Sequence, residues 1–320
     1  MPADKSQTRA FALLGFVMLL WAGNSIVARA VRLEVPPFSL AFGRWLLAFS
    51  IILPFALGAL RRDWSALRQG WVMVLVLGLL GIGAFNALLY TGLQHSTATN
   101  ALLLQSLVPA MVAGLDRALF GVRAGPMQLL GMAASIIGVA IIVFEGDPAA
   151  AARLDLTGAD LLLLGSALVW SVYTVLLRLK PPVAATSFVA ATFFVGVVTM
   201  APLALWEWTH GAQVQWSGRV AGAYLYVGIL PSLVAYLIYN PASQVVGPAR
   251  AGQTITLMPL FGAFLSAALL GEALHAYHFT GMAFIVAGIV LGAMSLRGEK
   301  VSAELSQSAA GAGGKAPLEG

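Results

Sequence analysis

Residues 10–30 read AFALLGFVMLLWAGNSIVARA, and residues 159–179 read ADLLLLGSALVWSVYTVLLRL. Aligned at an offset of 149, Trp21 meets Trp170, Asn24 meets Tyr173, Ser25 meets Thr174 and Arg29 meets Arg178. Each stretch is near the ~20 apolar residues that a helix rising ~1.5 Å per residue needs to cross ~30 Å of hydrocarbon. The pair predicts a membrane-spanning helix and, with it, a duplicated chain.

Further along the chain, Pro109, Gly121, Gly131 and Gly138 find Pro259, Gly271, Gly281 and Gly288 at an offset of 150. Cutting at charge, Pro and Gly clusters gives five spans, 10–30, 38–60, 70–93, 97–119 and 127–144, then five more, 159–179, 184–206, 220–242, 249–271 and 278–296. Because five is odd, the second copy must run through the membrane in the opposite sense. The flanking charge agrees, since Arg117 and Arg123 border the end of span four whereas Glu272 borders its counterpart. The expected fold is an all-α polytopic membrane protein of ten transmembrane helices, built as two inverted five-helix repeats around a central cavity. Residues 1–150 form the first repeat, 151–297 the second, and 298–320 a disordered polar tail. Lys5, Arg9 and the Ala28-Arg29-Ala30 triplet imitate a cleavable leader. A leader would have no partner in the second half, so span one is retained.

Composition sets the same solvent. The 320 residues are 59% hydrophobic and 10% charged, with a mean hydropathy of +0.87; an ordinary soluble domain carries roughly 25% charged residues. The alternating pattern of a membrane barrel is absent, and without cysteine there is neither a disulfide framework nor a thiolate metal site. With the N-terminus inside, all of the 18 Lys and Arg except Arg29, Arg32, Arg44, Arg153 and Arg219 fall on the cytoplasmic side. The positive-inside bias therefore places both termini in the cytoplasm. These charges suit anionic lipid heads, and no basic-aromatic motif suggests nucleic acid.

Polar residues inside the spans are expensive unless partnered or wet. In span three Gly83, Asn86, Tyr90 and Gln94 recur at helical spacing, and in span eight Ser232, Tyr236, Tyr239 and Asn240 do the same. Spans one and six carry Trp21, Asn24 and Ser25 against Trp170, Tyr173 and Thr174, and spans four and nine add Gln105 and Gln253. Hydroxyls and amides also hold membrane helices together, and Gly288 with Gly292 makes a close-packing GxxxG pair. Bulky aromatic and amide groups at matched places in both halves fit a cavity lining better. Pro109 and Pro259, each inside an apolar span, are expected hinges or static kinks. Trp64, Trp71, Trp206, Trp208 and Trp216 read as interface anchors.

The stretches LLWAGNSIVARAV, FGRWLLAFSIILP, GLQHSTATNALLLQSLVPAMVAGL and TITLMPLFGAFLSAALLGEALHAYHFTGMAFIVAGIVL resemble the EamA-type branch of the drug/metabolite transporter (DMT) superfamily over residues 10–296. The resemblance implies a secondary transporter of a bacterial-type inner membrane with a central cavity, often an exporter of amino acids or other small metabolites, nearest in kind to the YddG-like aromatic amino acid exporters. LFGVRAG departs from the pattern, with Val122 where LLGEALH places Glu272.

Arg44 is the single basic residue deep in a span, which argues against a polyanionic substrate; it reads as structural, reaching an interface or a carbonyl end. No carboxylate lies deep in a span, which argues against an organic cation. A neutral or zwitterionic metabolite, an amino acid foremost, is expected. Trp21, Trp170, Tyr90, Tyr173, Tyr236 and Tyr239 would enclose its side chain, and Asn24, Asn86, Gln105 and Gln253 its polar groups. Export would proceed by alternating access, with a multidrug exporter of the same fold or a channel-like facilitator as alternatives. His95, His210, His275 and His278 lie at or beyond span ends and no Ser-His or HExxH arrangement occurs, so neither enzyme nor metal nor cofactor is expected. His95 reads as interfacial, with proton coupling its alternative role. The partners are a small-molecule substrate and membrane lipid, and a monomer is the working expectation.

Overall fold

The computed structural model describes residues 5–96, 98–152, 157–270 and 274–312. Among the described residues every regular element is helical, and nine helices are long and apolar enough to cross a membrane. The first half contains α1 (Lys5–Ala30), α2 (Pro37–Gln69), α3 (Trp71–His95), α4 (Ala98–Gln105), α5 (Val108–Phe120) and α6 (Pro126–Val143). The second contains α7 (Gly158–Leu179), α8 (Ala185–Thr209), α9 (Gly218–Val246), α10 (Pro248–Thr254), α11 (Leu257–Leu270) and α12 (Ala276–Ala312).

The ends follow local chemistry. Prolines open α2, α6 and α10, where a missing N–H costs nothing. A capping box of Thr157 and Asp160 opens α7, the Ser217 hydroxyl accepts from Val220 N at 3.2 Å to open α9, and left-handed Gly121 closes α5. Spans two and ten are longer than their apolar runs imply. Helix α2 continues through Arg61, Arg62 and Asp63 to Gln69, and α12 continues to Ala312 through part of the stretch whose polarity suggests a disordered tail. Lys, Glu, Ala, Leu and Gln are all good helix formers, so charge ends the membrane run without ending the helix. Glu272, singled out in the sequence, lies outside the described residues.

Two irregularities occur at matched places in both halves. Helix α3 carries a π segment at Leu79–Ala84 and α9 another at Ile229–Val234. The expected spans four and nine are each broken, at residues 106–107 and 255–256, giving α4 with α5 and α10 with α11. Pro109 and Pro259 explain the breaks. Each sits in the first turn of the second piece and lacks the N–H that would bond the carbonyl four residues back. Ser106 and Thr256 hydroxyls then bond the carbonyls of Leu103 and Gln253, at 2.6 and 2.8 Å.

Two corresponding pairs, α2 with α8 and α6 with α12, pack against each other and run antiparallel. Glu207, near the end of α8, accepts from Phe38 N at 2.8 Å and Ser39 N at 2.7 Å at the start of α2. Asp63, near the end of α2, accepts from Ala184 N at 2.8 Å and the Ser187 hydroxyl at 2.7 Å at the start of α8. Each carboxylate sits at a helix N-terminus, where the free N–H groups and the dipole favour it. Helices α6 and α12 meet through glycine: a Cβ on Gly138 would lie 2.5 Å from the Gly281 carbonyl oxygen, and one on Gly288 would lie 2.4 Å from that of Gly131. Large apolar side chains such as Phe55, Leu130 and Phe194 face outward, as a lipid-facing surface requires. The five tryptophans expected as interface anchors are all exposed at helix ends.

Candidate functional site

The two π segments prepare the centre of the bundle. A π turn disturbs the i to i−4 ladder and leaves carbonyls free to bond elsewhere, and each segment's carbonyl is taken by an aromatic of the other half. The Trp21 indole N–H donates to Pro231 O at 2.9 Å, and the Tyr236 hydroxyl donates to Gly81 O at 2.6 Å. Glycine is required at position 81, since a Cβ there would lie 2.5 Å from the Tyr173 ring.

These bonds draw the aromatics of both halves into one cluster. Trp21 meets Trp170 edge-on at 5.0 Å between ring centroids, Tyr239 lies 5.1 Å from Trp21, and Tyr173 lies 5.0 Å from Trp170. Tyr236 completes the group at 6.1 Å from each tryptophan. Such offset and edge contacts are the favoured geometries for rings. Beside the cluster lies a cavity of 40 Å³, lined by Trp21, Asn24, Asn86, Gln105, Trp170 and Tyr236 among others. It is too small for anything much larger than water.

Arg44 is the charged side chain of this lining, and it corrects the sequence reading: it is 3% exposed and reaches neither an interface nor a helix carbonyl end. Its Nε donates to the Ser232 hydroxyl at 2.8 Å, and Nη1 donates to Asn24 Oδ1 at 3.2 Å, to Asn86 Oδ1 at 3.3 Å and to the Tyr90 hydroxyl. All four partners are neutral. Taking a guanidinium out of water costs several kcal/mol that neutral partners offset only in part. The sequence held one signal for this residue, its isolation as the sole basic group deep in a span. Phe85, 4.9 Å from Trp170 by ring centroid, also lines the cavity, although nothing in the sequence distinguishes it from an ordinary apolar residue.

The expected site residues divide accordingly. Trp21, Asn24, Asn86, Gln105, Trp170 and Tyr236 line the cavity, while Tyr90, Tyr173 and Tyr239 stand directly behind that lining. Gln253 is elsewhere: its amide donates to Gly288 O at 2.7 Å and faces Ser135 at 3.4 Å, so it belongs to the α6–α12 seam. Pro109 and Pro259 sit at the helix breaks.

A second cavity of 480 Å³ opens at the end of the bundle where α5, α7 and α9 finish. Asp116, Arg123, Gln128, Arg178, Gln244 and Arg250 line it, with Asp116 and Arg178 joined in an ion pair. Thr174 lines this vestibule too, and its hydroxyl bonds the Tyr239 hydroxyl at 3.1 Å. Tyr239 in turn packs at a tilt against both tryptophans, so the aromatic cluster is the partition between vestibule and central cavity. Among the described residues no three His, Cys, Asp or Glu side chains come together as a metal site.

A buried, two-sided aromatic centre reached from an open vestibule suits passage of a solute, and the family comparison decides the class. The EamA-like transporter family matches residues 9–144 and 157–294. The chain belongs to the EamA-like transporter family. Among the transporter's relatives, an "Uncharacterized transporter" of Archaeoglobus fulgidus is 29% identical over 290 residues, covering 89% of this chain and 97% of that one. A "Probable terminal-alkyne amino-acid exporter" of Streptantibioticus cattleyicolor is 28% identical over 222 residues, covering 68% and 72%. A solved crystal structure with 20% identity superposes on this transporter with a TM-score of 0.73, covering 91% of this chain and 98% of the other, which speaks for the fold alone.

Proposed function

We propose that this protein is a secondary transporter that exports small neutral or zwitterionic metabolites, amino acids foremost, across a bacterial-type inner membrane by alternating access. The observation that carries the reading is the central cavity, where Trp21 from one half and Trp170 and Tyr236 from the other face the amides of Asn24 and Asn86. Aromatic walls with a few placed polar groups suit a small molecule with an apolar side chain and a polar head. An EamA relative named as an amino-acid exporter points the same way.

In this reading residues 1–150 and 151–297 are two inverted five-helix repeats, with 298–320 an appended tail. The antiparallel packing of α2 on α8 and of α6 on α12 supports that arrangement. Both termini lie in the cytoplasm, and so does the vestibule with Arg123, Arg178 and Arg250 at its wall, following the positive-inside bias. Substrate enters there, Tyr239 moves off Thr174, and the aromatic cluster parts to admit it to the centre. Rocking of one repeat on the other then exposes the same site to the far side, the breaks at Pro109 and Pro259 supplying the bending points.

The test is uptake of a labelled amino-acid panel into proteoliposomes, aromatic and small neutral side chains together, with and without a pH gradient. Saturable uptake is expected, abolished in Trp170→Ala and retained in part in Trp170→Phe, which keeps a ring in the cluster. Dependence on the gradient decides between proton antiport and facilitated diffusion. No uptake of any amino acid by folded protein would overturn the amino-acid assignment.

A further inference from the structure

We infer that Arg44 is the substrate anchor of this transporter, and that its solute must therefore carry one carboxylate, bound by the guanidinium inside the central cavity. The inference rests on the transport reading and narrows it, since an uncharged or purely cationic solute is then excluded.

Four observations on the same residue lead there. Arg44 lines the central cavity and is 3% exposed, so its charge is held deep in the bundle. Its neighbours are arranged to hold the guanidinium and leave it charged: Ser232, Asn24, Asn86 and Tyr90 accept from Nε and Nη1, and each is neutral. Among the described residues the hydrogen bonds of Arg44 run from Nε and Nη1 and none from Nη2, and neither Asp nor Glu lines the cavity. Among the described residues the buried carboxylates are already engaged, Glu207 with the start of α2, Asp116 with Arg178 and Asp160 with Thr157. Arginine stays charged in proteins, and its fork of N–H groups matches a carboxylate. A buried fixed cation without a resident anion calls for one from the ligand.

The remainder of the lining says how the acid would lie. From outside the lining, the Trp45 ring backs the guanidinium, with Arg44 Cζ 4.7 Å from the ring centroid. The aromatic group of Trp21, Trp170 and Tyr236 stands beside it, so a substrate anchored by its carboxylate would lay its side chain against those rings. A single guanidinium in the lining matches one negative charge, which favours a monoacid over a phosphate or a dicarboxylate.

Thermal unfolding of the purified protein in detergent, with paired ligands at tens of millimolar, tests this before the natural substrate is identified. The pairs are L-phenylalanine with L-phenylalaninamide, L-leucine with L-leucinamide, and 3-phenylpropionate with 3-phenylpropionamide. The expected result is a rise in melting temperature with an acid of each effective pair and none with its amide. In Arg44→Gln the rise disappears, and in Arg44→Lys it survives in weakened form. Stabilisation by 3-phenylpropionate with none by either amino acid would support Arg44 as anchor while overturning the amino-acid assignment. Amides acting as strongly as acids, or an undiminished rise in Arg44→Gln, would overturn the anchor and leave the transport reading standing. No shift with any acid would also overturn it. The acid-against-amide comparison on the unaltered protein decides the matter even if the Arg44 variants fail to fold.

Discussion

At the scale of single residues, the bond between Tyr239 and Thr174 separates two roles that the sequence merges. The tyrosine ring packs on Trp21 and Trp170, while its hydroxyl closes the partition toward the vestibule. Tyr239→Phe keeps the ring and removes one hydrogen bond, worth about 0.5–1.5 kcal/mol. It is expected to lower the melting temperature slightly and to leave saturable uptake intact, whereas Tyr239→Ala abolishes uptake; melting and flux on the same preparations check both. Residue chemistry was legible in the sequence where bulk and symmetry coincided. Trp21, Trp170, Asn86 and Tyr236 recur at matched helical positions, and a repeat makes such recurrences visible. Arg44 and Gln253 show the limit of that signal. Both are polar groups in apolar spans, but one faces the cavity and the other a helix seam, and only the packing of neighbouring helices determines which.

At the scale of elements, the α6–α12 seam and the reciprocal caps give two predictions. A Cβ at Gly138 would meet a backbone carbonyl oxygen at 2.5 Å, whereas one at exposed Gly58 would meet nothing within 4 Å. Gly138→Ala is therefore expected to destabilise by roughly 1–3 kcal/mol through overpacking, and Gly58→Ala to stabilise by roughly 0.5–1 kcal/mol through helix propensity. Equal effects in thermal unfolding would contradict the close approach. Glu207, buried at the start of α2, accepts two backbone N–H groups and the Ser39 hydroxyl. Glu207→Ala is expected to cost about 0.5–2 kcal/mol as a lost cap, and Glu207→Gln less, because the amide oxygen still accepts. Helix positions followed closely from hydropathy, but three features did not. The π segments leave only weak marks in LLGIGA and ILPSLV, the carboxylate caps act between segments far apart in sequence, and spans four and nine read as continuous although their prolines break them.

At the scale of the whole molecule, the proposed topology puts the vestibule at the cytoplasmic face. The chain contains no cysteine, so single thiols report cleanly. Gln244 is exposed on the vestibule wall, and Trp216 is 71% exposed at the start of α9, at the opposite end. Gln244→Cys is expected to react with a membrane-impermeant maleimide only from the cytoplasmic side, and Trp216→Cys only from the other; the reverse pattern would invert the topology. What the duplication could not convey is the conformational state. A 480 Å³ vestibule beside a 40 Å³ centre depends on how the two halves lean on each other, and a repeat pattern constrains only the halves. In the proposed mechanism one buried site is offered alternately to the two sides of the membrane. Its most direct test is countertransport in proteoliposomes, with a labelled amino acid outside and the unlabelled compound inside. Alternating access predicts saturable uptake accelerated by the internal compound; uptake that neither saturates nor responds to it would contradict a carrier and indicate a continuous pore.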